Sequence, residues 1–357
     1  MIAERRFSCL PILLRLSCID LYGWRTTDVR ALSVAPDSTS LHTDGMTVGG
    51  GATTFVTDAA GFVGMELVKV LVALGHQVIG LTPSVEAAHR VRKTGAMAII
   101  GDPRNPGQWQ DEAGTEWVFH VPPQSFLHDA RGARRHAASV IRDRVAMDAN
   151  VLDAVANGST RRVVYVADSS CYGVTGLRPI TEDAPLRPEP GRCLSPALDR
   201  LDGYVVAGLP VVTALPGFVY GNGAWFREGI VEPVIAGRRV LQFGPNRNWV
   251  SPIHVHDCAR ALVHLAERGE PGSRYFLVNN DPVQVKDFAE AFARVAAREL
   301  RVRRLPFAAA RILGRPVATR HGTDMVYSNI RLRGTGFHFR YPTLEDGLHQ
   351  IVGAVDG

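Results

Sequence analysis

Short, fully apolar runs alternate along most of this chain with stretches that are apolar on one side only. Residues 53–57 are the first β-rich run. Gly61 and Gly64 then open a stretch in which Phe62, Leu67, Val70, Leu71 and Leu74 recur at helical spacing, and Gly75 closes it. Residues 78–81 are the next apolar run. After Pro83 and Ser84 a helical stretch reaches about Gly95, and a third strand follows over 96–100. A fourth covers 117–121. A long helix spans about 137–155, and strands five and six occupy 162–167 and 210–215. Continuous apolar strands alternating with helices predict an α/β protein with a doubly wound parallel sheet, buried on both faces. Such a sheet holds its ligand at the carboxyl ends of its strands, where the strand order reverses.

The last third has a different texture. Residues 241–255 are Gly/Pro/Asn-rich and then strand-like, and Asp257 reads as the N-cap of a helix over 258–268. A strand at 275–278, a helix at 285–297 and a mixed stretch over 301–345 follow, with a short helix after Pro342. The expected organisation is a dinucleotide-binding-type domain over 51–240, with 174–205 contributing to its cleft. Residues 241–357 supply a smaller C-terminal substrate lobe and the last sheet elements. Residues 1–50 read as a disordered or artefactual leader, with Met46 as an alternative start. Their apolar run, residues 10–16, is broken by Arg15 and has no small-residue cleavage site, so neither a signal peptide nor a membrane span of roughly 20 apolar residues is expected.

The strand–glycine turn–helix unit at 52–82 suits a pyrophosphate. Free N–H groups and the dipole at a helix start favour negative charge. Thr57, Ala60, Gly61, Phe62, Val63 and Gly64 are the expected cofactor contacts. One position conflicts with that reading. The glycine spacing asks for Gly at 58, and the residue is Asp58. A carboxylate there is a steric problem and places an anion beside an anion, a repulsion of about 1 to 4 kcal/mol depending on solvation.

Composition narrows the partners. Apolar residues make up 46% and charged residues 21%, as in ordinary globular proteins, and the net charge of +5 is spread without a basic, aromatic-laced stripe. A small-molecule substrate is expected, with no nucleic acid and no membrane. All but three of the 40 basic residues are arginine; the lysines are Lys69, Lys93 and Lys286, so none lies between 94 and 285. Five scattered cysteines without CxxC spacing argue against a disulfide framework or a zinc site and fit a cytoplasmic protein, with Cys171 a small buried hydrophobe.

Taken in order, residues 57–64, Gly101-Asp102, Val118-Phe119-His120, 162–173, 215–223, His254-Val255-His256-Asp257, Ser328-Asn329 and 339–342 resemble the extended short-chain dehydrogenase/reductases, the NAD-dependent epimerase/dehydratase group, over about 52–351. The resemblance implies a Rossmann sheet, NAD or NADP as cofactor and, in many members, a homodimer. It adds Asp102 at the adenine and Thr82 and Val121 to the cofactor contacts. With Thr82, Pro83 and Ser84 after the second strand and Arg90 and Arg92 on the next helix, NADP is favoured over NAD. The family's chemistry uses a Tyr-x-x-x-Lys pair and a Ser/Thr. Here the resemblance puts Asp168 at the hydroxyl position, with Ser169 beside it. It puts Ala197 at the tyrosine and Leu201 at the lysine. Tyr204, the nearby tyrosine, has Gly208 four residues on. The helix position that usually carries a structural Asn is Arg144.

The catalytic candidates are therefore Asp168, as a general acid/base at a strand end; Ser169; Tyr172; and His120 on the fourth strand. His254 and His256 are further histidines, without metal-ligand spacing. Arg247, an anion clamp, with Trp249 and Tyr220 are the substrate-side candidates. The leading expectation is a repurposed member acting on a small metabolite by non-redox isomerisation, elimination or cyclisation. The alternatives are an NAD(P)-dependent oxidoreductase or epimerase with substitute groups, and a catalytically inactive partner protein.

Overall fold

The computed structural model describes residues 51–122, 132–156, 158–187, 198–309 and 322–356. The leader, Pro123, Cys193, Ser195, Pro196 and Ala197 lie outside the described residues. Seven strands form the main sheet: β1 (Thr53–Val56), β2 (Gln77–Thr82), β3 (Met97–Ile100), β4 (Trp117–His120), β5 (Arg162–Val166), β6 (Val211–Pro216) and, from the last third of the chain, β11 (Arg274–Leu277). Their order is β11-β6-β5-β4-β1-β2-β3, all parallel. The order reverses between β1 and β4. The sheet is the doubly wound Rossmann type, and its switch point lies where the glycine turn leaves β1.

The strands alternate their side chains between two apolar layers, as a sheet buried on both faces requires. Val164, Val166, Phe119 and Val212 meet α1 (Phe62–Ala73) and α5 (Val255–Arg268) on one face. Val163, Tyr165, Val118 and Leu215 meet α3 (Gly132–Ala156) and α4 (Leu198–Val206) on the other. The helix α2 (Val85–Arg92) links β2 to β3 and is capped by Ser84, whose Oγ accepts from Ala87 N–H at 3.2 Å. Leu67 and Leu71 on α1 are wholly buried. Truncating either to Ala would cost about 2–5 kcal/mol.

Beyond β6 the chain builds small two-stranded sheets. β7 (Phe218–Tyr220) pairs with β10 (Pro252–His254), β9 (Trp249–Val250) with β12 (Val283–Gln284), and β8 (Arg239–Phe243) with β13 (Arg301–Leu305). With α6 (Asp287–Val295) and α8 (Leu344–Asp356) they enclose a separate aromatic core of Tyr220, Phe226, Phe288 and Phe292. A five-residue helix, α7 (Ile330–Gly334), precedes the segment that meets Asp257.

That residue corrects the sequence reading. The helix starts at Val255, not Cys258, and His254 caps it, its Nδ1 accepting from His256 N–H at 3.3 Å. The Asp257 carboxylate is fully buried and instead accepts the backbone N–H groups of Arg340 at 2.9 Å and Tyr341 at 2.7 Å. The two motifs at 254–257 and 339–342 are thus one structural unit.

Candidate functional site

The glycine turn is built against β4. Thr57 donates its N–H to Phe119 O at 3.0 Å, and its hydroxyl donates to Val121 O and accepts from Val121 N–H, both at 2.8 Å. Thr57 and Val121 therefore buckle β1 to β4 across the switch point. Behind them, His120 is fully buried, with Nδ1 3.2 Å from the Thr57 hydroxyl and Nε2 2.7 Å from Asp148 Oδ1. Burial pushes its pKa down, against the pull of Asp148. The ring is neutral, Nε2 carries the proton given to Asp148, and Nδ1 remains an acceptor.

Asp148 is the hub of this network. It also accepts from Arg144 Nε at 2.6 Å and from the Tyr165 hydroxyl at 2.7 Å. Burial alone would raise its carboxyl; Arg144, His120 and Tyr165 outweigh that and hold it below the usual range. Arg144 donates onward to Val166 O at 2.9 Å, so it ties α3 to β5 at the position of the family's structural Asn. Sequence reasoning missed Asp148 and Tyr165. The one local signal was the Arg144–Asp148 spacing, which puts both on one helix face.

On the turn itself, Asp58 has φ 45°, a left-handed conformation that a non-glycine residue adopts at a cost. Its carboxylate folds over Gly61: a Cβ on Gly61 would lie 1.9 Å from Asp58 Oδ2, and one on Gly64 would lie 2.1 Å from Asp58 O. No donor among the described residues bonds that carboxylate. Burial pushes it up to about 7, opposed by Arg90, whose Nη2 is 3.5 Å from Ala60 O. Phe62 begins α1 and packs its ring against Gly223, where a Cβ would meet it at 2.8 Å; Val63 is core. Further out, the Thr82 hydroxyl donates to Ile99 O at 2.9 Å. Arg92 donates to Ala98 O at 2.8 Å, so Arg90 is the arginine directed at the turn. Asp102 is taken up by Arg104, at 2.9 Å from Nε, and those hydrogen bonds keep its carboxyl below the usual range.

The second group lies past β5. Asp168 caps a 3₁₀ turn, Ser169–Tyr172, and is half-buried. Its two oxygens accept from Ser170 N–H at 2.9 Å and Ser170 Oγ at 2.7 Å. Ser169 is buried and its carbonyl accepts from the Tyr327 hydroxyl at 3.0 Å. The Tyr172 hydroxyl donates to Glu182 O at 3.0 Å, and its ring packs on Phe276, which stacks on Tyr327. Glu182 was not foreseen; it is buried, accepts Phe276 N–H at 2.7 Å and is raised by that burial. Leu201 sits in the core beside Tyr165, and Tyr204 donates to Asp153. Cys171 corrects the sequence reading: it is disulfide-bonded, while among the described residues Cys258 is the free, buried thiol.

The substrate-side candidates do not converge. Arg247 is exposed. Trp249 donates its N–H to Asp324 Oδ1 at 2.8 Å. Tyr220, expected at the substrate, is fully buried with its hydroxyl 3.4 Å from Leu344 O. His254 lies between the rings of Tyr220 and Tyr341, and burial pushes it down to about 4. His256 pairs with Glu66 at 2.8 Å, joining α5 to α1. Among the described residues no group of three His, Cys, Asp or Glu side chains could hold a metal ion, and no helix is long and apolar enough to cross a membrane.

The model of the NAD dependent epimerase/dehydratase family matches residues 54–278, from β1 to the residue after β11. The chain belongs to this family. The chain is similar to a 4-hydroxy-2-methyl-3-oxo-4-farnesyl-3,4-dihydroquinoline-1-oxide ketoreductase of Stigmatella aurantiaca, 28% identical over 267 residues, 72% of this chain and 77% of that one. It is similar to a dTDP-glucose 4,6-dehydratase of Streptomyces griseus at 28% over 62% of this chain and 71% of that one. Solved structures share the fold. A dTDP-glucose 4,6-dehydratase from Streptomyces venezuelae, with NAD and TYD bound, has a TM-score of 0.72 at 20% identity, over 84% of this chain and 96% of that one. The Thermus thermophilus UDP-glucose 4-epimerase, in complex with NAD, has 0.71 at 20%, over 85% and 99%.

Set against the family's cofactor, the site fits in part. The backbone of the glycine turn and the open N–H groups at the start of α1 suit a pyrophosphate. The Asp58 carboxylate lying in that cradle does not.

Proposed function

We propose that this chain is an enzyme of the epimerase/dehydratase family that acts on a small metabolite at the carboxyl edge of the sheet by proton transfer without a hydride step: isomerisation, elimination or cyclisation. Asp168 is the proton-transfer group. The observation that carries this reading is the Asp168–Ser170 pair at the end of β5, in place of the family's hydroxyl. Supporting it, Leu201 at the lysine position is core, no lysine lies between 94 and 285, and the Tyr172 hydroxyl is spent on Glu182 O. A half-buried carboxylate held by Ser170 can take a proton from carbon or oxygen and return it elsewhere on the same molecule. Orientation of the substrate at that edge supplies the remaining rate advantage.

A second reading, an NAD(P)-dependent oxidoreductase or epimerase, is favoured by the names of the relatives, a ketoreductase and a dehydratase. The two separate in one assay. Candidate carbonyl and sugar-nucleotide substrates are incubated with the protein, with and without NAD(P), and followed by NMR and by absorbance at the nicotinamide band. Turnover without added dinucleotide that is lost in Asp168→Asn supports proton transfer. A stoichiometric hydride signal that survives Asp168→Asn overturns it.

A further inference from the structure

We infer that Asp58 makes dinucleotide binding at the glycine turn conditional: a pyrophosphate lies on the start of α1 only when the Asp58 carboxyl carries a proton or is removed. The geometry is specific. The Asp58 side chain rises from a left-handed residue at the end of β1 and covers Gly61, the residue whose Cα face must stay open for a phosphate to reach the backbone. The carboxylate and the phosphate would then share one small volume at one helix terminus. Two anions there repel, whereas a protonated carboxyl is neutral and can donate its O–H to a phosphate oxygen.

The surroundings leave this decision to Asp58. Among the described residues Arg90, from α2, is the one charged group that acts on it. From α1, Glu66 is held by His256 and Lys69. From β4, His120 is closed off behind Thr57 and engaged with Asp148. The loop at 217–223 contributes Tyr220 as its titratable group, and that hydroxyl is turned to the C-terminal helix. Past β3, Asp102 is paired with Arg104. Burial, with no donor among the described residues to stabilise the anion, raises the carboxyl to about 7, so its charge changes near neutral pH. Proton uptake and pyrophosphate binding are then reciprocal: each makes the other more favourable.

The inference is independent of which chemistry the cleft performs, since it concerns binding in the absence of substrate. The test is calorimetric titration of the full chain with NAD and NADP between pH 6 and 8.5, in two buffers of different ionisation enthalpy. If only the protonated form binds, wild-type affinity falls about 30-fold across that range and up to one proton is taken up per dinucleotide at the alkaline end. Asp58→Asn and Asp58→Gly should bind with no such slope and more tightly than wild type at pH 8.5. Asp58→Gly removes the left-handed strain, so a melting temperature at or above wild type confirms that it folds. Three results overturn the inference. One is a wild type whose affinity is flat with pH and takes up no proton. Another is Asp58→Asn keeping the wild-type slope. The third is both variants, folded, binding no better than wild type at pH 8.5.

Discussion

Asp148 is bonded through His120 to Thr57, the residue before Asp58 in sequence, and the two aspartates are opposite kinds of carboxylate. Asp148 has three donors, His120, Arg144 and Tyr165, and is held below the usual carboxylate range although it is almost wholly buried. Asp58 has no donor among the described residues, sits on a left-handed residue, and is raised to about 7. Desolvation is the largest influence on each, on a half-buried Asp58 and a wholly buried Asp148; the fold supplies donors only to Asp148 among the described residues. A buried carboxylate with a complete set of partners belongs to the architecture. One held in a strained conformation without partners is a cost that the fold alone does not explain, and such costs collect where ligands bind. The same contrast divides the cleft: Tyr172 and Leu201 are absorbed by the fold, and Asp168 is left half-open.

The strongest way to break the comparison is to remove the hub. Asp148→Ala leaves the Arg144 guanidinium buried without a counter-ion and His120 without its acceptor. It should cost about 3–5 kcal/mol in urea denaturation. The double change Arg144→Met with Asp148→Leu should recover most of that, because the loss comes from the orphaned charge more than from the pair. A cost under about 1 kcal/mol for Asp148→Ala would mean that water reaches the network and that Asp148 is no more structural than Asp58.

Asp58 should show the reverse sign. Its folded pKa of about 7 lies above the ordinary 3.8. The stability contributed by the protonated carboxyl is present in full below about pH 4 and is lost as pH rises towards 7. Asn cannot ionise. Asp58→Asn should therefore match wild type near pH 4 and exceed it increasingly up to pH 7, by at most about 4 kcal/mol, with a plateau above. Melting curves across that range check it. His254 marks the acid limb. Burial pushes it down to about 4, below its ordinary 6.5, so the folded protein keeps it neutral while the unfolded chain protonates. Stability should fall between pH 6.5 and 4, by at most about 3 kcal/mol, and His254→Gln should flatten that limb.

The sheet was legible because its strands are continuous apolar runs, and continuity survives in a one-dimensional reading. All seven stood out, including the strand at 274–277 that returns to the sheet from the last third. The glycine turn was legible for the same reason, and so was its anomaly at Asp58. The polar networks were not. Thr57, His120, Asp148 and Tyr165 are far apart in sequence, and only topology brings them together. Asp257 was misread because an acidic residue beside a helix start usually caps it; here a tertiary demand, the N–H groups of Arg340 and Tyr341, took the side chain instead. Tyr220 was read towards the substrate because the segment at 343–347 that covers its hydroxyl lies more than a hundred residues away in sequence. The short β8–β13 pair was hidden by arginines on β13, which carry no apolar period.

The smallest predicted effect tests the contrast inside the cleft. Tyr172 is a tyrosine just past the end of β5 and a candidate acid, yet its hydroxyl donates to a backbone carbonyl and burial raises its pKa. Removing that hydroxyl deletes its hydrogen bond to Glu182 O and its contact with Arg274, and leaves the ring packed on Phe276. Tyr172→Phe should therefore cost about 1 kcal/mol of stability and leave the pH profile of turnover in place. Asp168→Asn should do the opposite: it keeps the shape and the acceptor for Ser170 N–H, leaves the melting temperature nearly unchanged, and abolishes turnover. If Tyr172→Phe removed an ionisation from the pH profile, the tyrosine would act on substrate in a conformation in which Glu182 O has let it go. The line drawn between groups closed into the core and groups that keep solvent access would then fail at the point where the cleft matters most.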